Sequence, residues 1–66
     1  MEEKLLYLQK IEKEICDLSE KIFKLQEFID SNKFYELNET QQDLLKIQII
    51  AMKNYFYILD TRRKHM

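Results

Sequence analysis

From Leu8 to Ile29 an apolar residue returns at alternating steps of three and four, through Leu8, Ile11, Ile15, Leu18, Ile22, Leu25 and Ile29. Nothing interrupts the pattern, because the 66 residues contain neither glycine nor proline. A 3-4 repeat winds one apolar seam along a helix and requires a second helix to cover it. A chain with neither glycine nor proline has few folds open to it. Two long helices laid against each other satisfy the seam at least cost.

The spacing predicts a first helix over about 2–30. Asp17 with Lys21 and Glu20 with Lys24 form favourably oriented pairs four apart on its solvated side. Isoleucine at 15, 22 and 29 alternates with Leu18 and Leu25, a pattern that favours two strands in parallel coiled coils. The break falls at Asp30-Ser31-Asn32, three residues that prefer turns and caps to helix interiors. Phe34 and Leu37 lie three apart, so the connection over 31–38 is expected to hold one short helical turn. Asn38 is a good N-cap, with Gln41 at the capping-box position and Glu39 in the first turn, where an acid suits the helix dipole. A second helix follows over about 39–64. Similar lengths and a short connection make the fold class all-α: an antiparallel two-helix hairpin, coiled-coil-like, in a single domain over 1–66.

Such a hairpin has little interior. Apolar residues make up 45% of the chain, yet each of two helices can hide only one stripe. In the second helix Leu44, Leu45, Ile47, Ile49, Ala51, Met52, Tyr55, Phe56, Ile58 and Leu59 spread over more than half the circumference. An ordinary surface helix needs an apolar face only somewhat wider than 100°. Leu45, Met52, Phe56 and Leu59 are expected to join the seven seam residues of the first helix in the hairpin or oligomer interface. Lys46, Lys53, Asp60 and Lys64 mark the side left to solvent. The surplus apolar surface, including a weaker ridge of Leu5, Cys16 and Phe23, argues for a homo-oligomeric helical bundle.

Charge and composition exclude several function classes. Eleven basic and 12 acidic residues are well mixed, for a net charge of −1, without the basic footprint of a nucleic-acid binder. No stretch approaches the ~20 apolar residues of a membrane span. The segment Glu2-Glu3-Lys4 leads into an amphipathic helix and does not read as a secretory signal. The lone Cys16 has no internal partner, which fits a reducing cytoplasm. One cysteine and one histidine, His65, make no metal set and no persuasive nucleophile pair, and a phosphate loop cannot be built without glycine. No cofactor and no enzymatic activity are expected.

One stripe carries chemistry. Gln41, Gln48, Tyr55 and Arg62 recur every seven residues and line up along the second helix, inside its apolar arc. One reading makes them polar residues that set register in an oligomer seam, with Arg62 paired to Glu2 or Glu3 across the hairpin. The other makes Gln48, Tyr55 and Arg62 a ligand site at a subunit interface. Tyr55 would supply a stacking face and a hydroxyl, Gln48 an amide for a base edge, and Arg62 a planar fork for phosphate. The closing run Thr61-Arg62-Arg63-Lys64-His65 suits an anion, although cations near a helix C-terminus also answer the dipole.

The residues Phe28-Ile29-x-Ser31-x-x-Phe34-x-x-Leu37, followed by Leu44-Leu45-x-x-Gln48-x-x-x-Met52-x-x-Tyr55-x-x-x-Leu59-x-x-Arg62, resemble a group of small helical-hairpin proteins encoded by bacteriophages. The resemblance covers about 18–63 and departs at Arg63, where an apolar residue is expected. It implies a non-enzymatic, oligomeric accessory protein acting in the host cytoplasm, of the kind that counters bacterial immunity. Such proteins either hold a nucleotide messenger between subunits or block a host defence protein. The first mode would use Gln48, Tyr55 and Arg62. The second, anti-CRISPR-like mode would use an exposed helix-two surface with Ile50, Lys53 and Tyr57 as anchors. A structural coiled-coil assembly module is a third reading, resting on the regular seam alone.

Overall fold

The computed structural model describes residues 2–65. Helix α1 spans Glu2–Ile29, a 3-10 turn covers Asn32–Glu36, and helix α2 spans Glu39–Lys64. There is no strand among the described residues. The two helices run antiparallel as a rod of 51 × 15 × 13 Å.

Helix α1 ends because side chains at its C-terminus draw the backbone into a turn. Ser31 donates both its hydroxyl and its backbone N–H to the Phe28 carbonyl, at 2.6 and 3.0 Å. The Gln26 amide reaches the Asp30 carboxylate at 3.1 Å. Phe34 and Leu37 then donate to the carbonyls of Ser31 and Phe34, closing the 3-10 turn. That turn drives Phe34 into the closed end of the hairpin, where only 2% of its surface stays exposed. Phe28 and Tyr35 pack edge-on against its ring, with centroids 6.4 and 5.5 Å away. The Lys46 ammonium sits 5.8 Å above it. The connection achieves this without any residue at positive φ, which is why it needs no glycine.

Asn38 starts α2 in extended backbone, its side-chain oxygen accepting from the Gln41 N–H at 2.9 Å. That bond is one half of the capping box expected with Gln41 at the third helical position; the Gln41 side chain makes no return bond. Gln42 turns back instead and donates from its amide to the Leu37 carbonyl at 2.8 Å. Its side chain therefore ties the first turn of α2 to the connection.

The core is a thin line between the helices. Ile11, Ile15 and Leu59 form its centre, with Leu18 and Phe56 packed against them, and Ile49 is buried further along. Leu8, Ile22, Leu25 and Ile29 on α1, and Leu45 and Met52 on α2, are half-buried along the same line. No polar or charged residue is buried among the described residues. Of the residues expected on the solvent side, Lys46, Lys53 and Lys64 are exposed and Asp60 is half-buried. The Lys53 ammonium leans toward α1 and meets the Gln26 side-chain oxygen at 3.5 Å, because its long stem lets it lie across the flank of the hairpin. Asp60 is only partly exposed and is claimed by Arg63 and Lys64 at 2.6 and 3.1 Å.

Candidate functional site

Helix α2 carries two heptad seams side by side. One runs through Leu45, Ile49, Met52, Phe56, Leu59 and Arg63, and every member is buried or half-buried against α1. The other runs through Leu44, Gln48, Ala51, Tyr55, Ile58 and Arg62, and every member is exposed. Both step by alternating threes and fours. Met52 and Leu59 thus face α1, and the neighbours of the polar stripe along the outer seam are Leu44, Ala51 and Ile58.

Two residues of the stripe, Tyr55 and Arg62, find partners on α1. The Tyr55 hydroxyl donates to the Glu14 carboxylate. The Arg62 guanidinium lies over the Tyr7 ring, 5.6 Å from its centroid, and donates to the Tyr7 hydroxyl. Arg62 forms no ion pair with Glu2 or Glu3 in the structure; Tyr7 takes its guanidinium instead. Tyr7 and Glu14 stand seven apart on α1, just as Tyr55 and Arg62 do on α2, so the two contacts are successive rungs of one ladder. Gln48, one heptad further, turns its amide to the Met52 sulfur at 3.9 Å, a weak contact that leaves most of its capacity unused.

The Glu14 contact changes Tyr55. Hydrogen bonding to the carboxylate holds the phenol above its ordinary pKa, and loss of solvent and the Glu14 charge act the same way. Its hydroxyl is engaged, but the residue remains 42% exposed and its ring offers a flat face. Near the end of α2, Lys64 and Arg63 hold the Asp60 carboxyl below its usual range, with the Lys64 hydrogen bond the largest influence. Those two cations therefore have an acidic partner at hand. Arg62 does not, and it is the cation of the last turn aligned with Tyr55 and Gln48.

On one copy of the chain this arrangement is a stripe and not a pocket. At 1.5 Å per residue, Gln48, Tyr55 and Arg62 stand about 10 Å apart in turn. Two shallow grooves in the structure lie elsewhere. One is lined by Ser19, Ile22, Lys53 and Phe56, and the other by Glu2, Lys4, Leu5 and Leu8. The heptad spacing of the α2 stripe is legible in the sequence, but its pairing with Tyr7 and Glu14 is not. Their spacing of seven was available, but only the hairpin register selects them from the many exposed residues of α1.

An antiparallel helical hairpin with a small core and a polar, aromatic stripe on its outer face defines a class of small helical-hairpin proteins. The chain belongs to the Sequestin family, whose profile matches residues 5–65. It is also 36% identical over 58 residues to an uncharacterized 7.5 kDa protein of the denB-rIIB intergenic region of Enterobacteria phage T4. That alignment covers 88% of this chain and 91% of the phage protein, so the bacteriophage kinship runs nearly end to end. No solved structure matches the chain. No helix is long and apolar enough to cross a membrane among the described residues.

Proposed function

We propose that this chain is a non-enzymatic bacteriophage accessory protein that holds a small anionic nucleotide, an immune signal of the host, at an interface between its own copies. The observation carrying this reading is the exposed line of Gln48, Tyr55 and Arg62 on the outer seam of α2. The family name supports it, since sequestering is binding without turnover. A chain that offers stacking, an amide and a guanidinium suits that task. The host cytoplasm is where such a signal would be met.

Tyr55 takes a nucleobase on its ring, Gln48 reads a base edge, and Arg62 pairs with phosphate. Calorimetric titration of the purified protein with cyclic dinucleotides and ADP-ribose-type signals tests this. Heat from at least one of them, abolished by Arg62→Ala and Tyr55→Ala, is the expected result. Silence across the whole panel would end the proposal.

A second reading is favoured by a different surface. Ile50 and Tyr57 are 59% and 70% exposed on another side of α2, where they could anchor on a host defence protein. Lys53 is a poorer anchor, being drawn toward Gln26. Unchanged capture of a host protein by an Ile50→Ala, Lys53→Ala, Tyr57→Ala triple variant would rule that surface out.

A further inference from the structure

The outer seam of α2 has the periodicity of an interface, and beyond the contacts of Tyr55 and Arg62 with α1 it lies open in this chain. Leu44, Gln48, Ala51, Tyr55, Ile58 and Arg62 step by four and three without a fault, and all six are exposed. Scattered exposed apolar residues need no explanation. An unbroken heptad seam does, because its pitch matches another α-helix and little else.

Three observations point to a second copy of this chain as that helix, running antiparallel. The first is charge. Helix α2 begins with Glu39 in its first turn and Asp43 just beyond, and ends with Arg62, Arg63 and Lys64. An antiparallel copy brings the acidic start of each α2 beside the basic end of the other and opposes the helix dipoles. A parallel copy sets Arg62 against Arg62 and doubles the basic cluster. The second is self-complementarity, which a two-fold interface requires. A two-fold axis at Ala51 places Leu44 opposite Ile58, Gln48 beside Tyr55, and Arg62 level with Thr40, one residue from Glu39. The third is Arg62 itself, the last-turn cation without an acidic partner among the described residues.

We propose that two copies dock antiparallel through this outer seam around Ala51, so that Tyr55 of one copy and Gln48 of the other complete each half of the ligand site. The proposal rests on the sequestering function and assigns its interface. Ala51 is the smallest side chain in the seam. Two of them facing each other leave a gap between the Tyr55 rings, which stand about 12 Å apart along the axis. A nucleobase entering there stacks on Tyr55 from one copy and meets the Gln48 amide of the other.

Thiol cross-linking with a short bifunctional reagent tests the register in the full chain. Cys16 is exposed, so it is first replaced, Cys16→Ser. Leu44→Cys and Ile58→Cys are then made separately; both positions are exposed, and circular dichroism confirms that each variant stays helical. The expected result is cross-linked dimer from the mixture of the two variants and none from either alone. In an antiparallel pair of the Leu44→Cys variant the two introduced thiols stand about 21 Å apart along the axis. Self-cross-linking of either single variant overturns the antiparallel register. No cross-linking in any sample overturns the interface altogether. Wild-type titration with the nucleotide panel separates the two ideas. Nucleotide binding without cross-linking leaves sequestering intact and moves its site. Cross-linking without nucleotide binding leaves the dimer and removes its ligand.

Discussion

Asn38 supplies one hydrogen bond where a helix would otherwise begin with four idle donors, so its removal is felt directly. Asn38→Ala should cost about 1 kcal/mol, while Asn38→Ser keeps most of the cap; urea melts of the three proteins read the difference. Tyr55 and Asp60 make opposite statements about pH. The folded Tyr55 phenol is raised, so its contribution to stability is complete below the ordinary tyrosine range and fades as pH climbs through the folded value. The difference in tyrosinate absorbance between wild type and Tyr55→Phe should therefore appear late in an alkaline titration, and earlier in Glu14→Gln. The Asp60 carboxyl is lowered, so its contribution is present above the ordinary aspartate range and is lost as pH falls through the folded value. Asp60→Asn should flatten that part of the acid melting curve. At this scale the cap was legible, because Asn before an acidic first turn has a local meaning. The Glu14 contact was not, because it depends on where a backbone 41 residues away arrives; the Gln42 bond to Leu37 depends on the path of the connection.

The connection and the two helices hold each other in place through Phe34, whose ring is enclosed by Phe28, Tyr35 and Lys46. Phe34→Ala should destabilise by about 3–5 kcal/mol, and Phe34→Leu by clearly less, as read by thermal melting. For so short a chain the alanine change approaches the whole stability. Helix α1 was readable as a single seam because only one of its apolar rows repeats without a break from Leu8 to Ile29. Helix α2 was harder. Its two seams are adjacent, offset by one residue, and merge on a wheel into one wide arc. Burial separates them: Ile49 is 6% exposed while Ile47 and Ile50 beside it are 62% and 59% exposed. Nothing in the residue types distinguishes three isoleucines in a stretch of four; only the arrival of α1 does.

Among the described residues five apolar side chains are buried and eleven large ones are exposed, a ratio that leaves a lone hairpin short of apolar cohesion. If copies associate, the melting temperature should rise with protein concentration, whereas a monomer melts at one temperature throughout. Ile58→Glu, on the outer seam, should abolish that dependence and shift sedimentation toward the single chain without loss of helicity. The hairpin itself could be anticipated from its repeat; its partnership could only be argued from the surface left over, because sequence records which residues are greasy and not what meets them. The repeat also has a hidden degeneracy. Slid past each other by seven residues, the two helices would still interlock their apolar rows, and Arg62 would even gain Glu14 as a counterion. What forbids that slip is the tether between them: a tight, aromatic-plugged bend with no slack to give. Splicing a flexible insert into residues 31–37 should therefore yield a rod that loses its index, with Arg62 drifting from Tyr7 to the acid one notch along.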